Sequence, residues 1–171
     1  SETDLAFLSW TIYNDQVYGG SSNKVVSGGN NYFYSDVCFK QTKNLDLSAY
    51  HWQPIGIYYT RDVLQISRCF SGNYDGGGYT VSGVFTPAGS GYAYSYQGLF
   101  GYVYGRSSTQ QASIANLGVI DSFVQGNNYV GGVVGEATYA TITNVYNTGS
   151  VSGNEGVGGV VGYAYSSVTV S

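Results

Sequence analysis

The spacing of apolar and polar residues changes once along this chain. Near the N-terminus, Leu5, Leu8 and Ile12 recur at the three-to-four spacing of one helix face. Thr3 is placed to cap the start, and Glu2 and Asp4 stand where the helix dipole favours negative charge. The pattern predicts a helix ending near Asn14. Beyond it, Val, Ile, Leu and Phe alternate with Ser, Thr, Asn and Tyr in short runs broken by Gly and Asn, which predicts strands.

These strand-like runs repeat. VGGVVG at 130–135 returns at 157–162, 27 residues on, each time followed by a Tyr/Ala/Ser/Thr stretch that leads into a β-branched run. IANLGVIDSFVQG at 114–126 matches ITNVYNTGSVSG at 142–153 with an offset of 28, placing Ile114 over Ile142, Asn116 over Asn144 and Leu117 over Val145. VTVS from Val168 resembles the start of ITNV. An upstream Gly-box, GLFGYV at 98–103, precedes VGGVVG by a longer interval that a loop over Arg106–Gln111 accounts for.

A unit of about 27 residues with three short strands cannot bury a core alone, so successive units must stack. The prediction is an all-β fold, a right-handed parallel β-helix (β-solenoid) with a short N-terminal capping helix. Residues 1–20 form the helix and lead-in, and 21–171 form the coils, with the stack open at its C-terminal end. The helix would cover the first coil, whose edges and apolar cross-section need protection. Gly131-Gly132 and Gly158-Gly159 are expected to supply positive φ or close backbone approach at corners. Ser1 follows no initiator Met and strand-like sequence runs to Ser171, so further coils are expected to continue the stack.

Composition narrows the function. Only 9% of residues are charged, Gly occurs 26 times and Tyr 19 times, so solubility rests on uncharged polar groups. A net charge of -4 with six scattered Lys and Arg offers no stripe for phosphates, which excludes nucleic acid as a partner. No run of about 20 apolar residues is present, so membrane insertion is not expected either. Cys38 and Cys69 are a disulfide candidate in an oxidising compartment, the alternative being two buried thiols that pack as small hydrophobes.

NLDLS at 44–48, WQPIG at 52–56, FSGNYDGGGYTVSG at 70–83, GLFGYV, IANLGVIDS and VGGVVG follow one another in an order that resembles the GLUG-motif repeat proteins of bacterial surfaces. The resemblance covers about residues 37–171. It implies a right-handed β-helix outside the cell, in adhesin-like proteins or in the non-catalytic region of some immunoglobulin A peptidases. It carries no catalytic residue with it, because the shared motifs are turns and core positions. The tract from Ile57 to Cys69 is longer than the family pattern and is expected to project as an insertion. The cysteines stand where the family does not require them, which favours a local tie between two coils.

Candidate catalytic groups are few. Asp46 and Asp75 are the best pair for glycoside hydrolysis, but Asp75 opens a DGG turn, where an Asp serves its own backbone. Asp62, Arg61 and Arg68 are the only lyase-like group, and they fall in the insertion. His51 is the single His, so a zinc site of ordinary type lacks ligands, and YDGGGY does not repeat as a calcium-binding nonapeptide would. No cofactor is expected. The sequence therefore predicts a non-enzymatic extracellular structural or adhesive module of a bacterial surface protein. Its partners are further repeats or identical subunits at the open coil, together with host or cell-wall glycans or proteins. Two alternatives are a filament subunit stacking head-to-tail and a β-helix that binds or acts on carbohydrate through its Tyr-rich wall.

Overall fold

The N-terminal pattern folds as read, with one change at its start. In the computed structural model, which describes residues 1–14, 24–27, 30–49, 51–61 and 64–171, helix α1 spans Glu2–Tyr13. Its cap is Ser1 rather than Thr3. The Ser1 hydroxyl accepts from the Asp4 amide at 3.4 Å while the Asp4 carboxylate reaches back to the Ser1 amine, a reciprocal box that satisfies two end groups where Thr3 would satisfy one. Asn14 closes the helix, its side-chain amide donating to Trp10 O at 2.9 Å. The expected boundary at residue 20 lies outside the described residues.

Leu5, Leu8 and Ile12 enter the same buried cluster as Leu45, Leu47 and Trp52. The helix therefore lies over one end of the core, each buried side chain contributing about 1.5–3 kcal/mol. Ser9 fixes it there by donating its hydroxyl to Gln53 O at 2.6 Å.

The rest is mostly β. β1 (Lys24–Ser27) and β2 (Asn30–Phe33) pair antiparallel, β3 (Cys38–Lys40) and β4 (Leu45–Asp46) follow, and β5 (Ile57–Arg61) pairs antiparallel with β6 (Leu64–Phe70). The expected insertion is thus a hairpin whose second strand returns to the main ladder beside β2. Next come β7 (Asn73–Asp75), β8 (Thr80–Ser82), β9 (Phe100–Tyr104), β10 (Ala112–Ile120), β11 (Phe123–Gln125) and β12 (Asn128–Gly131). β13 (Val134–Asn147), β14 (Ser150–Ser152), β15 (Glu155–Gly158) and β16 (Val161–Val170) complete the chain. Apart from the two hairpins, the pairings among the described strands are parallel, and the largest sheet curls through twelve strands.

Register explains why the sheet curls and what it encloses. Phe33, Phe70, Val103, Ala137 and Ala164 form one column across the strands, and Phe39, Tyr74, Ile114, Ile142 and Val170 form another. From β2 to β13 both columns pack into the core, while Ala164 and Val170 on β16 are exposed, and neighbouring rings interlock, with Phe70 and Phe100 centroids 5.2 Å apart and Tyr74 edge-on to Phe100 at 5.3 Å. The predicted superpositions of Ile114 on Ile142 and of Leu117 on Val145 are the observed pairs. The two Gly-boxes also pair, Val130 with Val157 and Val134 with Val161.

Corners are made by side chains that tolerate a left-handed backbone. Asn116 and Asn144 have φ of 54° and 52°, a conformation Asn adopts at low cost. Their amides form a ladder along the stack: Asn144 donates to Asn116 at 2.8 Å, and Asn116 donates to Asp75 at 2.9 Å. One frame differs from the sequence reading. Val168 lies beside Ala140 and Val170 beside Ile142, because left-handed Ser166 and Ser167 add a residue at the corner where Tyr139 stands alone. That insertion turns a spacing of 27 at Thr138↔Tyr165 into 28 at Ala140↔Val168.

Candidate functional site

The sequence-predicted residues do not assemble into one site. Cys38 and Cys69 are both free: Cys38 is exposed on β3 and accepts from the Asn73 amide at 3.6 Å, while Cys69 is fully buried beside Tyr96 and Tyr102. The candidate disulfide is not formed, because Cys69 points into that tyrosine cluster and Cys38 points to solvent. Burial pushes the Cys69 thiol far up and keeps it unreactive. A thiol reagent is expected to label one cysteine per native chain and two in denaturant, measured by mass; labelling of both in the native state would contradict this packing.

Asp75 is held by its turn, accepting from Gly77 N and from Asn116, each at 2.9 Å, which lowers its pKa with Lys40 assisting. Asp46 is likewise spent on Ser48 N at 2.9 Å. Arg68 donates to Tyr13 O at the end of α1, tying the hairpin to the helix. The side chains of Arg61 and Asp62 lie outside the described residues. His51 is exposed beside Phe85, with ring centroids 5.5 Å apart. Among the described residues no group of three or more His, Cys, Asp or Glu could hold a metal ion, and no helix is long and apolar enough to cross a membrane.

The feature with most chemical content is an open cleft of about 590 Å³ on the outer face of β9, β13 and β16. On one rung, Tyr102, Glu136 and Tyr163 stand side by side, and on the next Tyr104, Thr138 and Tyr165 do so. Period two sends all six to the same outward face. The preceding corner supplies the second wall. Tyr96 and Tyr129 have φ of 60° and 58°, and this turns their rings over the row: Tyr96 lies 5.7 Å from Tyr102, and Tyr129 lies 4.8 Å from Tyr163. The next coil places Gly156 there, at φ 59°, and a Cβ on it would meet the Tyr129 ring at 2.9 Å.

Glu136 is the one carboxylate in the middle of that row. Burial among the rings pushes its pKa up to about 7, with the Thr138 hydroxyl opposing the shift. The Tyr102 phenol is driven up in turn, first by burial and then by Cys69 and Glu136. Asn128 also lines the cleft, and its Oδ1 is buried with no hydrogen-bond partner. Sequence reasoning passed over Glu136, although a signal exists: the residue after the last Gly of each box is Tyr102, Glu136 and Tyr163 in turn. A single acid that interrupts an aromatic row at a repeating outward position is a chemical choice that the core does not demand.

Residues 126–152 match the family model described as the GLUG motif, which suggests a repeat module in a larger protein. The matched span begins just after β11 and runs through β12 and β13 to the end of β14. No curated protein and no solved structure matches this chain.

Proposed function

We propose that the chain is a non-catalytic module of a bacterial extracellular protein, a right-handed β-solenoid that extends and displays a surface. The observation that carries this reading is β13: it pairs in register with β9 and β10 on one side and with β16 on the other, always in parallel and at a spacing of 27 or 28 on the β16 side. Such a ladder resists bending because each coil is hydrogen-bonded to the next along the whole axis. The GLUG motif match supports the repeat character. The absence of catalysis is part of the proposal, and its support is that Asp46 and Asp75 are consumed by local turns.

Among the described strands β16 pairs with β13 alone, and Val157 on β15 and Val170 at the end of β16 are exposed, which favours further repeats or identical subunits as the partner at that face. The test is to add three copies of residues 143–170 after Val170, which keeps the repeat frame because Val170 pairs with Ile142. Small-angle scattering should show the particle lengthening by about 14 Å, the thickness of three strands at about 4.8 Å each. The thermal midpoint should rise, as each added interface stabilises its neighbours. A chain that grows no longer, or that melts earlier, would remove the solenoid reading. Light scattering of the parent chain separates the two partners, since head-to-tail association raises the mass with concentration and a plain repeat does not.

A further inference from the structure

We propose that the tyrosine cleft over β9, β13 and β16 is a binding site for a neutral pyranose oligosaccharide, held by Tyr129 and Tyr163 as stacking faces and by Glu136 and Asn128 as hydroxyl partners. Along their strands Tyr102 and Tyr104 have ring centroids 5.5 Å apart and Tyr163 and Tyr165 6.4 Å apart, and Glu136 and Thr138 stand between the two pairs. The rings are fixed before any ligand arrives: Tyr129 packs on Tyr163 at 4.8 Å and on Tyr96 at 5.2 Å, so little side-chain freedom is lost on binding.

The polar groups select the ligand class. Asn128 lines the cleft with its Oδ1 buried and without a donor, an acceptor that a ligand hydroxyl would satisfy. Glu136 lies at the centre of the row, and near neutral pH its carboxyl both donates and accepts, which matches a hydroxyl. Among the described residues no Lys or Arg lines the cleft, while Glu155 does, so an anionic chain meets repulsion there. The cleft volume of about 590 Å³ lies in the range of small-ligand sites. This inference concerns the outer wall and does not depend on the chain being one piece of a longer solenoid.

The test is titration calorimetry of the whole 171-residue chain with cellohexaose, maltohexaose, mannohexaose and hexagalacturonate. At least one of the three neutral chains should bind, with Tyr163→Ala weakening it about tenfold or more and Tyr79→Ala, an exposed ring outside the cleft, leaving it unchanged. NMR of the unmodified chain should place the shifted amides at Tyr129, Glu136 and Tyr163, a readout that holds even if a variant folds poorly. Three outcomes would each overturn the proposal: no neutral chain binding at millimolar concentration, hexagalacturonate binding as tightly as the neutral chains, or binding that perturbs a different face. A failure here leaves the lengthening experiment untouched, so the two readings fall separately.

Discussion

A Gly131→Ala chain should melt about 10 °C or more below the parent, while Gly159→Ala should melt within a degree or two of it. Both glycines belong to the paired boxes, and neither has a positive φ, so the difference is one of space. A Cβ on Gly131 would lie 2.1 Å from Val134 O, 2.7 Å from Gly162 N and 2.8 Å from Val160 O, all of them backbone atoms that cannot swing away. A Cβ on Gly159 meets nothing within 4 Å. Relief at Gly131 requires β12 and β13 to part, and parting them breaks the ladder to β15 and β16, at a cost of about 3 kcal/mol or more. Thermal unfolding followed by circular dichroism measures both variants. Equal midpoints would mean that the two strands are not as close as described.

The close approach at Gly131 also shows which parts of the structure were legible in the sequence. A glycine in a repeating box marks a crowded corner, and the apolar columns announce themselves because every coil must refill the same interior position. Ile114 over Ile142 follows from that requirement alone. Local exceptions were less visible. The capping box at Ser1 needs the Ser1–Asp4 pair to be weighed against Thr3, and two left-handed serines shifted the frame at Val168 where no glycine or asparagine gave warning. The hairpin of β5 and β6 read as excess length, since nothing in its residues says that β6 rejoins the ladder.

The cleft was the least legible feature. Tyr102, Glu136 and Tyr163 can be aligned from the boxes, but their becoming one wall of a concavity depends on Tyr96 and Tyr129 adopting a backbone that tyrosine rarely takes. The sequence reading tied the Tyr excess to a wall that meets carbohydrate. Part of the excess serves packing, since Tyr104 stacks on Tyr139 at 5.8 Å, while Tyr163 stands beside Glu136 on its rung and Tyr129 lines the facing wall.

Glu136 should make this protein lose stability as pH rises through neutrality. Its folded pKa of about 7 lies above the unfolded value of 4.5, so between those limits the native state holds a proton that the unfolded chain releases. More protons bound in the native state means that unfolding becomes easier with increasing pH, and the contribution is complete below 4.5 and gone above about 7. From pH 5.5 to 8 the fall should be about 2 kcal/mol. The lowered carboxyls of Asp46 and Asp75 act in the opposite sense, but only at lower pH, as they take up protons below their ordinary range. Glu136→Gln keeps the shape without the ionisable carboxyl. Urea unfolding at pH 5.5 and 8 should therefore show the parent declining and the variant flat by comparison, with the variant more stable than the parent at pH 8. If parent and variant keep the same difference in midpoint at both pH values, the carboxyl is already ionised in the native cleft, and its burial among the tyrosines is not what the rings imply.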